Sequence, residues 1–422
     1  MTEEVRGRFK RWLWRPPRPH GEVTANRTVS FLELFYDLVY VAVIAQAAHH
    51  LAEHVTVRGV AEFAVVFAMI WIAWVNGSLF VELHGRDDGR TRTLVFVQMA
   101  ILVLLAVFTA DAAGSTGPAF ALVYSAFLIV MTSQWEAVRS QDRRQERPQY
   151  LLVTGRYQAS IVVSIAVILG SAMLPDEPRL IVWAGYAVGW IVAIVLAGRA
   201  SVGLSPGVTP TESLVERFGL FTIIVLGEVI FGVVDGLTAA MHDATTIATG
   251  ILGLMIGFGF WWIYFDVVGR RLPRTDGRSI ANWLLSHLPV TLSIAAAGAG
   301  MADLIAHAHD PRTAESTSWL VSGSVALGLL ALIVIERALV DAERLSGVYR
   351  PLSMAMAGGA VAALVVGWSR PTPWLLAALL VAILSILWFF AVFRFLGVGA
   401  WGESSGALDR DAGGPVNPAG GS

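Results

Sequence analysis

The chain has 422 residues, of which 55% are hydrophobic and only 15% charged, against roughly 25% charged in ordinary soluble domains. That balance excludes a water-soluble globular fold, and the absence of cysteine excludes disulfides, thiolate metal sites and cysteine nucleophiles. A formal net charge of −2 points to no nucleic-acid partner, because in a membrane chain the side on which each charge lies matters more than the sum.

Residues 1–28 read as a polar, basic cytoplasmic tail carrying Arg6, Arg8, Lys10, Arg11, Arg15, Arg18 and Arg27, with Trp12 and Trp14 placed for a headgroup boundary. The first apolar run opens near Ser30 and holds Glu33 and Asp37. The uncharged core of a cleavable signal sequence tolerates such charges poorly, so this run is expected to be retained. Apolar stretches near the ~20 residues that cross a ~30 Å hydrocarbon layer as a helix follow throughout. They predict spans near 29–51, 59–83, 93–113, 117–138, 151–174, 180–199, 213–235, 244–268, 281–304, 317–340, 352–369 and 373–396. From about Gly402 onward Gly, Ser, Asp and Pro dominate, which predicts a disordered cytoplasmic tail over 402–422. The expected fold class is all-α: a polytopic membrane helix bundle of about twelve transmembrane helices.

The arginines and lysines test that map, since cytoplasmic loops hold the excess. Of the 30 in the chain only Arg58, Arg179, Arg312 and Arg370 fall outside the N-terminal tail, alternate loops and the matching ends of spans. The expectation is a multi-pass cell-membrane protein with both termini cytoplasmic. The chain also resembles itself at long range. Glu82-Leu83-His84-Gly85-Arg86 and Asp266-Val267-Val268-Gly269-Arg270 share an acidic-x-x-Gly-Arg pattern at an offset of 184. Asp88-Gly89-Arg90-Thr91 matches Asp276-Gly277-Arg278-Ser279 at an offset of 188, and Glu33-Leu34-Phe35 matches Glu216-Arg217-Phe218. These matches keep their order and predict two parallel six-helix repeats, 29–199 and 213–396, related by an axis along the membrane normal.

Glu33-Leu34-Phe35-Tyr36-Asp37-Leu38-Val39-Tyr40-Val41 resembles the signature opening of the bacterial low temperature requirement A (LtrA) family. The stretch from Glu216-Arg217-Phe218-Gly219 to Val225-Leu226-Gly227-Glu228 resembles a second hallmark of that family. Trp261-Trp262-Ile263-Tyr264-Phe265-Asp266 and His287-Leu288-Pro289 add to the likeness, which runs from about Thr28 to Phe395. Tyr36 and Tyr40 stand where the family usually has phenylalanine. The resemblance implies membrane residence and fold, and supplies neither a reaction nor a substrate.

Ionisable groups within a span cost a few kcal/mol on insertion scales and so usually face the protein interior. Glu33 and Asp37, four residues apart, share a helix face, and Glu228 lies about 18 Å beyond Glu216 along its helix. With Glu216, Arg217, Asp266 and His287 they form the candidate substrate or proton pathway. Competing readings are structural. Glu33 and Glu216 suit helix N-termini, Arg217 an ion-pair partner or snorkelling anchor, Glu82 and Asp266 interfacial charges beside Arg86 and Arg270, and His287 a packed residue at a kink near Pro289. Asp37 and Glu228 are the two least accounted for in that way. Near the opposite boundary lie His49, His50, Glu53, His54, His242, Asp243, Asp303, His307, His309 and Asp310. His50 and His54 have a metal-ligand spacing, but nothing fixes a third ligand and no metal is assigned. The glycines at 250, 253, 257 and 259 suit close helix packing. A Walker-type phosphate loop is absent, which argues against an ATP-driven pump.

These features favour a proton-coupled secondary transporter over a non-transporting scaffold or regulatory protein in cold or envelope stress. An enzyme ranks last, because no nucleophile and base arrangement is visible. No cofactor is expected. The expected partners are the lipid bilayer and a small solute or ion, neither of which fixes the oligomeric state.

Overall fold

The computed structural model describes residues 15–22, 27–199, 210–241 and 243–399, together with Val5, Gly7, Phe9 and Trp12. Most of the basic tail, His242 and the expected 402–422 tail lie outside the described residues. Among the described residues the chain is entirely helical, with thirteen named helices. They are α1 (Phe31–Glu53), α2 (Val57–His84), α3 (Gly89–Thr109), α4 (Gly117–Arg144), α5 (Pro148–Ser171), α6 (Asp176–Arg199), α7 (Glu212–Ala239), α8 (Ala244–Val267), α9 (Gly277–Ala306), α10 (Glu315–Ala338), α11 (Asp341–Arg344), α12 (Ser346–Ser369) and α13 (Pro373–Leu396). Twelve of them, all but the single turn α11, are long and apolar enough to cross a membrane.

Local chemistry explains the boundaries. Ser30, Thr56, Asp88, Thr211, Asp243 and Asp276 each cap a helix by accepting a backbone N–H with the side chain. α5 and α13 start on proline and α4 has one at its second position, where the missing N–H costs nothing in the first turn. α4 runs six residues beyond its expected end at 138, to Arg144. The reason is that its polar last turns find protein partners: Asp142 is fully buried against the N-terminal segment.

Because successive spans alternate in direction, one end of the bundle collects the arginine-rich connections (the basic end) and the other the short connections rich in His and Asp. α2, α9 and α10 form the middle, with 83%, 78% and 72% of their apolar stretches buried, whereas α6 has only 17% buried and shows its apolar surface to lipid. Within the first six spans α1 packs on α2 and α3, α2 on α4 and α6, and α3, α4, α5 and α6 pack in succession. The second six show the same relations: α7 packs on α8 and α9, α8 on α10 and α13, and α9, α10, α12 and α13 pack in succession. Across the halves α1 meets α7, and α9 reaches over to α1, α2 and α6.

The crossing of α7 and α9 depends on glycine. A Cβ at Gly298 would lie 2.6 Å from the Glu228 carbonyl, and one at Gly232 would meet the Gly298 carbonyl. The two backbones therefore touch, as small-residue membrane interfaces allow, and Glu228 is held at that crossing. The predicted glycine patch on α8 also serves packing: Gly253 fits against Met301 and Val233, and Gly257 against Val229.

Candidate functional site

At the basic end, α1 starts with a capping box. Ser30 accepts the Glu33 N–H, and the Glu33 carboxylate accepts from the Ser30 N–H and Oγ. Helical spacing then stacks Glu33, Tyr36, Asp37 and Tyr40 on one face, turned toward α2 and α7. Arg217 of α7, fully buried, answers them. Its Nη2 and Nε donate to the two Asp37 oxygens at 3.1 and 3.3 Å, and its Nη1 to Glu33 at 3.1 Å. Trp74 of α2 donates to Asp37 at 2.8 Å.

The network continues into the N-terminal segment. Arg27 donates to Glu33 at 2.7 Å and also to Glu82, whose other oxygen accepts from Thr211 at 2.7 Å and Ser213 at 2.8 Å. All six carboxylate oxygens of Glu33, Asp37 and Glu82 thus have donors. Such an arrangement is what makes buried charge tolerable, and it joins α1, α2 and the tail to α7. Arg18, Pro19 and His20 are buried on the same end: the Arg18 N–H donates to the His84 carbonyl at 3.0 Å, and His20 pairs with Asp142 at 2.7 Å while stacking on Tyr150. Arg18 and His20 thus dock on the basic end against α2, α4 and α5.

Above the ion network lies an aromatic layer. The Tyr36 and Tyr40 hydroxyls bond each other at 3.1 Å, and the Tyr36 hydroxyl packs against Gly77 of α2. Trp74 stacks on Phe221 at 3.9 Å, Tyr40 meets Phe221 edge-on, and Ile44 and Val225 are buried beyond them.

Beyond that layer a cavity of ≈ 310 Å³ opens between α1, α7 and α9. Glu228, Gln46, His49 and Asp235 supply its polar groups, and its rim is exposed at His49, Phe231 and Asp235. Glu228 is 4% exposed, and its Oε1 has no hydrogen-bond partner among the described residues. It stands about 16 Å along α7 from Arg217. An acidic, half-enclosed cleft whose deepest carboxylate has a free oxygen is suited to a proton or another cation.

The structure therefore brings Glu33, Asp37 and Arg217 into one cluster and gives Glu228 a cavity of its own. Asp37 faces its ion-pair partners and does not line the Glu228 cleft. Glu216, next to Arg217 in sequence, points the other way: it is exposed and edges a groove between α7 and α8 with Arg270. Asp266 accepts from Trp388 of α13 at 2.8 Å. His287 is held at both ring nitrogens, by the Trp283 carbonyl at 2.7 Å and the Tyr264 hydroxyl at 3.0 Å, and packs on Phe218. Sequence reasoning passed over Trp74, Ser213 and Glu336, and it left Arg27 in the tail and Glu82 among interfacial charges. The acidic-x-x-Gly-Arg repeat marked Glu82 but not its partners.

The histidines near the other end separate into pairs. His49 lies 3.5 Å from Glu53, His50 3.7 Å from Glu62, His307 3.0 Å from Asp303 and His309 2.5 Å from Asp243. The Asp303 carbonyl and then its carboxylate raise the His307 pKa above its ordinary value. A raised histidine contributes stability that is complete below the unfolded pKa and lost as pH rises through the folded one. His307→Gln is therefore expected to lower the melting temperature slightly at pH 5 and not at pH 9, as a thermal unfolding series in detergent would show. An equal effect at both values would contradict the pairing.

A family model described as bacterial low temperature requirement A protein (LtrA) matches residues 28–389. An uncharacterized protein of Rhizobium meliloti (strain 1021) is 28% identical over 312 residues, covering 68% of this chain and 72% of that protein. No solved structure matches.

Proposed function

The chain belongs to the bacterial low temperature requirement A family, and from that premise we propose that this multi-pass membrane protein is a proton-coupled secondary transporter with its pathway between two six-helix halves. The observation that carries the reading is Glu228. A carboxylate with a free oxygen, at depth in a span, has no structural partner to justify its insertion cost, and it lines a cleft built from α1 of the first half and α7 and α9 of the second. The recurrence of neighbour relations in the two halves supports a parallel repeat, in which one half rocks against the other around a central site.

The basic end is cytoplasmic in this reading, by the positive-inside rule. The structure then corresponds to a state closed inside and open outside. Asp37, Glu33 and Arg217, with Arg27, Glu82 and the docked Arg18 and His20, form the inner gate, and the layer of Tyr40, Trp74 and Phe221 separates it from the cleft. Protonation of Glu228 from outside removes a charge from the interface of the halves and permits the cleft to close. The complete pairing of Asp37 favours a second reading for the basic end, a fixed scaffold whose ion network never opens.

The deciding experiment reconstitutes the full chain in vesicles containing a trapped pH-sensitive dye and screens single classes of small solutes. Transport predicts that at least one solute, added outside, drives proton entry that empty vesicles lack. A scaffold predicts dye traces identical to empty vesicles for every solute tested.

A further inference from the structure

A second site lies at the basic end of α10 and α12, remote from the α1, α7 and α9 cleft. Glu336 is 1% exposed, two residues before the end of α10. One of its oxygens accepts from Ser353 of α12 at 2.5 Å, and the other has no partner among the described residues. A cavity of ≈ 630 Å³ opens beside it, walled by Arg274, Arg337, Arg350 and Met354. Arg274 is engaged with Glu343 at 2.8 Å. Arg337 and Arg350 are exposed and make no ion pair among the described residues.

We propose that this pocket holds the headgroup of an aminophospholipid, its phosphate on Arg337 and Arg350 and its ammonium on the free oxygen of Glu336. Charge decides the class of ligand. The arginines repel a lone cation, and the buried carboxylate repels a lone anion, whereas a zwitterion with both groups a few bonds apart satisfies both. Geometry decides that it is a lipid. The pocket sits at the level where spans end, and Met354, which walls it, is 69% exposed. Val361, 62% exposed, lies seven residues on along the same face of α12, so an apolar track runs from the pocket into the bilayer for an acyl chain. Basic side chains at a cytoplasmic boundary are recognised contacts for phospholipid headgroups.

Native mass spectrometry of the full chain in detergent, titrated with phosphatidylethanolamine, phosphatidylcholine, phosphatidylglycerol and soluble glycerophosphoethanolamine, tests this. Phosphatidylcholine keeps the charges but has no N–H to donate. The expected result is about tenfold preference for the ethanolamine lipid over the choline lipid, the scale of one charge-assisted hydrogen bond, with no displacement by the soluble headgroup. Glu336→Gln, which keeps the Ser353 bond, is expected to erase that preference. Arg350→Gln, at an exposed position that leaves folding intact, is expected to weaken all three lipids. Equal binding of ethanolamine and choline lipids, preference for phosphatidylglycerol, an unchanged preference in Glu336→Gln, or displacement by the soluble headgroup would each overturn the proposal.

Discussion

Arg217→Met is expected to destabilise the protein by about 3–5 kcal/mol, the cost of leaving buried charges without their partner. The magnitude follows from burial and geometry. Arg217 and Asp37 are fully buried, Glu33 nearly so, and the guanidinium reaches both carboxylates at 3.1 Å. Removing the cation leaves Asp37 with only the Trp74 N–H, while Glu33 keeps Arg27 and Ser30. Arg217→Lys is expected to recover only part of the loss, because an ammonium cannot reproduce the two-pronged contact with Asp37. Neutralising the carboxylates as well, in Glu33→Gln, Asp37→Asn, Arg217→Met, is expected to restore most of the stability, since removing a whole buried ion cluster is far cheaper than removing one member. Denaturant unfolding in mixed micelles measures all three. A triple variant as unstable as the single one would show that Arg217 acts through packing alone.

Glu228→Gln has the opposite profile. It is nearly isosteric and breaks no ion pair, so unfolding should stay within about 1 kcal/mol of the unmodified protein. Flux is where the loss appears: the solute-driven proton entry expected of the unmodified chain should fall to the level of empty vesicles, because the amide takes up no proton. Asp235→Asn, at the exposed rim of the same cleft, should retain most of that flux. A Glu228→Gln variant with full proton flux, or one that unfolds like Arg217→Met, would assign Glu228 a structural role.

Hydropathy made the helices legible, because each span must satisfy its own backbone hydrogen bonds in lipid and so appears as one continuous apolar run. Charge in the loops marked the two ends. The site was legible only in part. Glu33 and Asp37 could be placed on one face from their spacing, and Arg217 stood out as a cation in an apolar run. Their meeting is a contact between residues 180 and 184 positions apart, which periodicity within a span does not encode. The pairing of Arg27 with Glu82 was missed for the same reason: each is polar and near a boundary, and their contact joins residues 55 positions apart. Glu216 and Arg217 show the limit sharply, since adjacent positions on a helix face directions about 100° apart, and only packing reveals which one turns inward. Glu336 escaped notice because, followed by Arg337 at a span end, it reads as an ordinary interfacial pair.

Transport through this bundle requires a cleft at Glu228 that is open on one side and closed by the Asp37 and Arg217 network on the other. The chain contains no cysteine, so a single cysteine at Ala302, which lines the cleft, reports its access directly. Labelling with an impermeant thiol reagent is predicted to proceed in right-side-out vesicles and not in inverted ones, while a control cysteine at the exposed Thr275 does the reverse. Asp37→Asn, which loosens the proposed inner gate while leaving Arg217 on Glu33, is predicted to slow outside labelling of Ala302→Cys and to allow labelling from inside. Labelling of Ala302→Cys from the outside at the same rate with and without Asp37→Asn, and never from the inside, would contradict an alternating pathway and leave a fixed scaffold.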